Sequence, residues 1–206
     1  MSKASGGVRT RKSAEERAEE IRSSARDLAL AEGLPALTLR AVAARIGVAS
    51  ALVAHYEPSM EELVARTFSS ITIAEVDEIT TLVADAETAT DKLRQLIATL
   101  LEPARDDVTT VWADAFSLGR TNEPLAAAVR AVMDRWQLLV AGIIDEGVDG
   151  GEFTTDVAAD VAWQFLGMID GVNSHALVHY AGAPDRGRLV CRAMENELGL
   201  ERGTLQ

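Results

Sequence analysis

Hydrophobic residues recur with a helical period along this chain, and the pattern is clearest between residues 38 and 60. In the first part of that stretch, apolar residues stand at i, i+3, i+4 and i+7, namely Leu39, Val42, Ala43 and Ile46. This spacing predicts a short helix with one buried face. Thr38 can cap its first turn, and Gly47 follows where a left-handed C-cap is usual.

A second short helix is predicted over residues 50–56, because Pro58 prevents it from continuing. Only Gly47, Val48 and Ala49 separate the two helices. Two short helices joined by so tight a turn cross at a steep angle, as in a helix-turn-helix, whose second helix enters the major groove of DNA. An ordinary helical hairpin is the alternative, and this stretch alone does not decide between them.

Similar periodicity, with capping residues and Gly or Pro at the ends, predicts helices along the rest of the chain. They cover 13–32, 59 to about 84, 91–101, 108–120, 122–148, a segment capped by Thr154 or Thr155 that ends near Tyr180, and 189–198. No segment shows the alternation of a convincing strand. The sequence therefore predicts an all-α fold of nine or ten helices.

Charge is distributed unevenly over the chain. The net charge is −12, yet residues 1–66 carry ten Lys/Arg and nine Asp/Glu, against ten and twenty-three in residues 67–206. Any DNA contact should therefore be local to the N-terminal part, because phosphate would repel the acidic remainder. We expect a helix-turn-helix DNA-binding domain at 13–58 and a larger acidic domain at 59–206.

Residues 1–12 are small, polar and basic, and we expect them to be disordered. Arg9, Arg11 and Lys12 would suit an arm that reaches phosphates or the minor groove. A terminus that only aids solubility is the alternative.

Several functional classes find no support in the sequence. Cys191 is the only cysteine, no apolar run reaches the ~18 residues of a membrane span, and no hydrophobic signal segment opens the chain, so we expect a cytoplasmic protein. No nucleophile–base constellation, GxSxG or phosphate-binding glycine loop occurs, so we expect neither an enzyme nor a cofactor. His175 and His179 are spaced i, i+4, but no suitably spaced carboxylate or cysteine accompanies them, and we expect no metal site.

The stretch from Ile21 to Phe68 resembles the DNA-binding domain of the TetR family of transcriptional regulators. The matching residues are Ile21, Ala25, Leu28, Ala29, Glu32-Gly33, Leu37-Thr38, Val42-Ala43, Ile46-Gly47-Val48, Leu52-Val53, Tyr56, Pro58-Ser59 and Glu62-Leu63. The rest of the chain is similar in length and helical layout only. The resemblance implies a homodimeric, two-domain regulator that binds double-stranded operator DNA and a small-molecule ligand.

Candidate DNA-binding residues lie on the two short helices and around the turn: Thr38, Arg40, Ala49, Ser50, Ala51, His55 and Tyr56. Arg40 offers a guanidinium for a guanine or a phosphate, whereas the alanines can only touch a thymine methyl. Three residues depart from the pattern usual in the family. Ala54 replaces a tyrosine or histidine, Glu57 an aromatic residue and Met60 a lysine, which concerns DNA affinity more than function.

Bulky side chains among many alanines mark a candidate ligand cavity in the C-terminal part. The candidates are Trp112, Phe116, Trp136 and Trp163, with Gln164, Asp170 and Asn173 as polar contacts. Core packing is the simpler explanation for any one ring, and only the resemblance favours a cavity. Gly167, Gly171, Ser174 and Val178 form a strip of small residues that would let another helix approach closely. The strip can pack within the subunit, but the resemblance favours the dimer interface.

These observations together predict a ligand-responsive transcriptional regulator, specifically a repressor that a small molecule releases from a near-palindromic operator. The alternative is a helical ligand-binding or protein-interaction module that has lost DNA affinity.

Overall fold

The computed structural model describes residues 12–180 and 182–206, and these residues form nine α-helices. The helices are α1 (Ala14–Glu32), α2 (Leu39–Ile46), α3 (Ser50–Tyr56), α4 (Met60–Ala84), α5 (Ala89–Leu100), α6 (Asp106–Leu118), α7 (Glu123–Asp149), α8 (Ala158–Leu177) and α9 (Ala183–Glu197). Short 3₁₀ turns at Leu34–Ala36 and Pro103–Arg105 precede α2 and α6. No strand occurs in this described part, and the all-α prediction is confirmed.

Several helices begin where a polar side chain caps the first turn. Ser13, Thr38, Ser59, Thr88 and Asn122 each accept a hydrogen bond from the backbone N–H three residues later. These bonds satisfy N–H groups that have no partner within the helix. Local sequence therefore fixes where α1, α2, α4, α5 and α7 start.

The first three helices form a small bundle around buried apolar side chains, including Ile21, Leu28, Val42 and Val53. Helix α4 packs against α1 of this bundle and, further along, against α7 of the second bundle, which α5 to α9 complete. Phe68 of α4 is fully buried. The predicted domain boundary falls at the N-cap of α4, so this one helix continues from the small bundle into the large one.

Helix α8 differs from its prediction at both ends. Val157 is its N-cap, and neither Thr154 nor Thr155 caps it; the N–H of Thr154 instead donates to the carbonyl oxygen of Leu198, at 2.9 Å. The contact with the C-terminal end of α9 holds this segment outside the helix. At the other end α8 stops at Leu177, and not near Tyr180.

The early end of α8 also separates the two histidines. His179 has a left-handed backbone, with φ 57°, so it does not share a helix face with His175. Among the described residues, no three His, Cys, Asp or Glu side chains are grouped to hold a metal ion.

Most of the predicted basic arm lies outside the described residues. Lys12 is described, and its Nζ lies 2.5 Å from the Glu20 carboxylate of α1. Within the described ranges, no helix combines the length and apolar character needed to cross a membrane.

Candidate nucleic-acid interface and ligand cavity

The turn between α2 and α3 has the geometry that its sequence predicts. Gly47 adopts a left-handed backbone, with φ 68° and ψ 41°, and its N–H reaches the carbonyl oxygens of Ala43 and Ala44. The N–H of Val48 donates to Ala43 at 3.0 Å. Such a glycine ends the first helix and redirects the chain within three residues. Helix α3 is anchored by Val53, which is fully buried.

The predicted DNA-binding residues lie around this turn with their side chains toward solvent. The exposed ones are Thr38, Arg40, Ala49, Ser50, Ala51 and His55. Tyr56 is half-buried, and its ring meets that of His55 edge to face at 5.3 Å. Thr38 already uses its hydroxyl to cap α2, at 3.1 Å from the N–H of Ala41. The structure therefore brings all seven residues to one helix-turn-helix, with Tyr56 partly withdrawn.

Arg45 is a candidate that sequence reasoning missed. It lies in the last turn of α2, its side chain is exposed, and neither it nor Arg40 forms an ion pair with another residue of the described part. Helix α2 thus carries two guanidiniums without an ion-pair partner in the described part, Arg40 in its first turn and Arg45 in its last. A basic residue one position before Ile46 and two before the turn is the sequence signal that could have identified it.

Glu57 and Met60, which depart from the usual family pattern, both lie against the protein interior and not on the surface of the helix-turn-helix. Glu57 is only 5% exposed, and its carboxylate pairs with Arg66 of α4. Met60 is half-buried and packs against the core. The acidic side chain therefore lies inside the protein, in an ion pair, where the family usually has an aromatic ring. It presents little negative charge to a duplex.

The second candidate site is a cavity between α4, α6, α7 and α8. Its aromatic wall consists of Trp112, Phe116 and Trp136. The other lining residues are Glu75, Leu100, Arg105, Thr109, Ala113, Met133, Leu166, Ile169, Asp170, Asn173 and Ser174. The cavity volume is about 60 Å³. This is well above the roughly 10–15 Å³ needed to admit one water, so the cavity has room for a small group.

Glu75, one of the two carboxylates in the cavity, has partners among the neighbouring side chains. The Glu75 side chain accepts a hydrogen bond from Trp112 Nε1 at 3.1 Å, and Arg105 Nη1 lies 3.6 Å from it. Burial raises the pKa of Glu75, and the contacts with Trp112 and Arg105, which stabilise the ionised carboxylate, offset only part of that rise. Arg105 is shared, since its Nη2 donates to Glu78 at 2.7 Å.

Asp170 is the other carboxylate, and no described residue pairs with it or donates a hydrogen bond to it. Burial alone raises its pKa from 3.8 to about 6. At neutral pH it is therefore an unpartnered negative charge beside aromatic rings. Asn173 does not donate a hydrogen bond to Asp170; the Asn173 Nδ2 instead donates to the carbonyl oxygen of Leu100 at 3.0 Å.

Two of the predicted cavity residues are not in the cavity. Trp163 is 68% exposed, and Gln164 is exposed with its Nε2 3.4 Å from Glu197 of α9. Both lie in the N-terminal half of α8 and do not line the cavity, whereas Asp170 and Asn173, about two turns further along, do line it. The prediction that Trp163 and Gln164 line the cavity is therefore wrong. Trp112, Phe116, Trp136, Asp170 and Asn173 do line one cavity.

The strip of small residues on α8 faces solvent in the single chain. Gly167, Ser174 and Val178 are exposed, although Ser174 also lines the rim of the cavity, and no atom of another helix in the described part lies within 4 Å of where a Cβ at Gly167 or Gly171 would stand. Trp163 continues the strip, and Leu189 of α9 adds another exposed apolar side chain. Contiguous exposed apolar surface is a candidate interaction site.

Both parts of the chain match known sequence families. The profile described as "Bacterial regulatory proteins, tetR family" matches residues 21–67, and that described as "BetI-type transcriptional repressor, C-terminal" matches residues 89–198. No functionally curated protein gives a significant match.

Solved structures share the fold at low sequence identity. A transcriptional regulator from Saccharomonospora viridis in complex with choline is 19% identical, with a TM-score of 0.80 over 89% of this chain and 98% of that one. A TetR transcription regulator from Haloarcula marismortui is 21% identical, with a TM-score of 0.76 over 89% and 98%. A TetR-family regulator from Agrobacterium tumefaciens is 21% identical, with a TM-score of 0.75 over the same shares.

Proposed function

The chain belongs to the TetR family of transcriptional regulators, and from this premise we propose that it is a repressor that a small organic cation releases from a near-palindromic operator. That it is a DNA-binding regulator follows from the family. The operator symmetry, the sign of regulation and the class of ligand are the proposal. A helical module without DNA binding, the alternative reading of the sequence, is not favoured.

The DNA-binding part of the proposal rests on the exposed surface around α2 and α3. Its charged groups are the guanidiniums of Arg40 and Arg45, and neither is engaged within the described part of the protein. Ser50 and His55 on α3 can form hydrogen bonds with base edges or phosphates. Because the set is poor in bidentate side chains, we expect phosphate contacts to supply much of the affinity.

The observation that carries the ligand proposal is the unpartnered carboxylate of Asp170 beside three aromatic rings. Removing an ionised carboxylate even partly from water is costly without a positive partner, and the faces of tryptophan rings attract cations. A small cation with methyl or methylene groups would satisfy both features. The similar regulator from Saccharomonospora viridis was crystallised with choline, a cation of this kind, which supports the assignment.

We place the dimer interface on the exposed faces of α8 and α9. Gly167 and Gly171 allow a partner helix to approach closely, and Trp163, Val178 and Leu189 supply exposed apolar area. A two-fold dimer would present two α3 helices, so its operator should be near-palindromic, with half-sites one duplex turn or a multiple apart. We propose that the protein has no catalytic role. We propose further that it lies in the cytoplasm, where it can reach its operator.

The test begins with a selection of bound fragments from genomic DNA, followed by titration of the best fragment at several salt concentrations. We expect tight binding that weakens as salt rises, since phosphate contacts release counterions. Choline and its neutral isostere 3,3-dimethyl-1-butanol are then compared by tryptophan fluorescence and by release of the fragment. Equal responses to the two compounds would overturn the cation assignment, and failure to bind any duplex would overturn the repressor.

A further inference from the structure

Helix α6 lies between the cavity and the small N-terminal bundle that carries the helix-turn-helix. On one face it lines the cavity with Thr109, Trp112, Ala113 and Phe116. On another it packs against α1 and against the 3₁₀ turn Leu34–Ala36, which both belong to the small N-terminal bundle. Because a helix of thirteen residues moves nearly as a rigid body, a shift at Trp112 must also move the side chains that touch the DNA-binding part.

Asp114 makes the polar contact across this junction. Its Oδ2 accepts a hydrogen bond from the backbone N–H of Leu34 at 2.9 Å, although 80 positions separate the two residues. Leu34 is 1% exposed. The bond therefore joins the cavity helix to a buried residue that directly follows α1.

Gly33 makes this approach possible. It ends α1 with a left-handed φ of 82°, and a Cβ at this position would lie 2.5 Å from Asp114 Oδ2. The glycine needed to turn the chain thus also admits the carboxylate. Burial raises the pKa of Asp114, and the Leu34 N–H is the contact that offsets it. No cation of the described part pairs with this carboxylate.

We propose that Asp114 is a positioning residue for induction, the release of operator DNA by the ligand. Through its hydrogen bond with Leu34 it transmits the state of the cavity to the DNA-binding domain. The inference rests on the proposed function, since it concerns how the same cavity controls DNA. When a ligand displaces Trp112 and Phe116, α6 carries Asp114 with it, and the hydrogen bond pulls α1 and the 3₁₀ turn. This link acts beside α4, which Trp112 also contacts through Phe68, with ring centroids 5.0 Å apart.

The first test needs no small molecule. Hydrogen exchange of residues 106–118 is measured with and without a bound operator fragment, in the wild type and in Asp114→Ala, Asp114→Asn and Asp134→Ala. Asp134 is an exposed acidic residue of α7 and serves as the matched control. We expect operator to change the exchange of α6 in the wild type, in Asp114→Asn, which keeps an acceptor oxygen, and in Asp134→Ala. The change should be lost in Asp114→Ala.

The second test uses choline as the probe. Asp114→Ala should bind operator and choline each within a few-fold of wild type, while the factor by which choline weakens operator binding falls from about 5–150 to about one. An unchanged factor, or unchanged exchange in α6, would overturn the role of Asp114. If wild type binds no operator, the proposed function fails first and this inference fails with it. If operator binds but choline does not, hydrogen exchange alone decides the role of Asp114.

Discussion

Asp170 owes its importance to its surroundings in the folded protein. It is half-buried and lines the cavity together with Trp112, Phe116 and Trp136, and its carboxylate receives no hydrogen bond from the described residues. The folded protein therefore favours the neutral acid, which is why the pKa rises to about 6. This environment stabilises the fold below the ordinary pKa of 3.8, and the stabilisation is lost as the pH rises through about 6.

A bound cation should reverse that preference, because it favours the ionised carboxylate. We predict that choline affinity is constant above pH ~7 and falls by up to about tenfold per pH unit well below pH 6. Fluorescence titrations between pH 5 and 8 measure this dependence. Asp170→Asn should weaken binding at neutral pH and flatten the profile. Since Glu75 also lines the cavity with a raised pKa, Glu75→Gln is measured in parallel. A profile that persists in Asp170→Asn would assign the titration elsewhere.

Gly147 shows how one missing side chain can permit packing. The ring of Phe153 folds back over α7, and a Cβ at Gly147 would lie 2.1 Å from its nearest carbon. Phe153 is 4% exposed, and its N–H donates to the carbonyl oxygen of Gly147 at 3.0 Å. The glycine is therefore required by its neighbour, although it sits inside a helix where glycine is unfavourable.

We predict that Gly147→Ala destabilises the protein by roughly 1–3 kcal/mol, because the ring must leave its place. Gly142→Ala is the matched control in the same helix, where no atom would meet the new methyl group. The control should be neutral or stabilising by up to about 1 kcal/mol. Urea unfolding of both variants measures the difference, and equal stabilities would contradict the packing argument.

Among the elements, the pair α2–α3 presents its DNA-binding groups through the turn at Gly47. Arg40 lies in the first turn of α2 and Arg45 in its last turn, and both are exposed. The two arginines are thus a matched pair on one helix. Their contributions should differ if only one reaches a base.

We predict that Arg40→Ala weakens operator binding by roughly 1–3 kcal/mol and relaxes sequence preference at one position if Arg40 reads a base. If Arg45 contacts phosphate, Arg45→Ala should weaken binding to all sequences alike and reduce the salt slope by about one. Competition titrations with single-base variants of the operator distinguish these outcomes. A uniform loss for Arg40→Ala would make it a phosphate contact, and no loss would remove it from the interface.

Over the whole molecule, the proposed regulation requires a dimer in which the ligand changes the spacing of the two DNA-binding domains. The exposed strip on α8 is the surface that we assign to this dimer. Gly171 lies at its centre, and its position has open space within the subunit. A Cβ there would meet no atom of another element of the described part within 4 Å, so a larger side chain can extend toward the proposed partner helix.

We predict that Gly171→Leu keeps the fold of the subunit but weakens the dimer by roughly 1–3 kcal/mol through overpacking. Light scattering across a dilution series measures the dissociation, and circular dichroism checks the fold. Gly142→Leu, on an exposed face of α7, is the control and should dimerise as the wild type does. A folded Gly171→Leu that dimerises as tightly as wild type would place the interface elsewhere.

The sequence by itself determined the all-α class, the number of helices and the family, while the ends of α8 followed from its tertiary contacts. Caps at Ser13, Thr38 and Ser59, and the left-handed turn at Gly47, act within a few residues, so their effects can be predicted from neighbours in the chain. The apolar period that buries Ile21 and its neighbours is equally local. The helix-turn-helix and the layout of helices followed from such patterns, together with the resemblance.

Tertiary structure alone decided which chemistry those helices enclose. Trp163 and Asp170 are seven residues apart on one side of α8, so the helical period could not tell that Trp163 is exposed while Asp170 lines the cavity. In the same way, the buried carboxylate of Glu57 finds its ion-pair partner in Arg66 of α4. Asp114 meets Leu34 across 80 positions of sequence. Burial and pairing depend on what the rest of the chain brings close, and a local pattern carries no record of that.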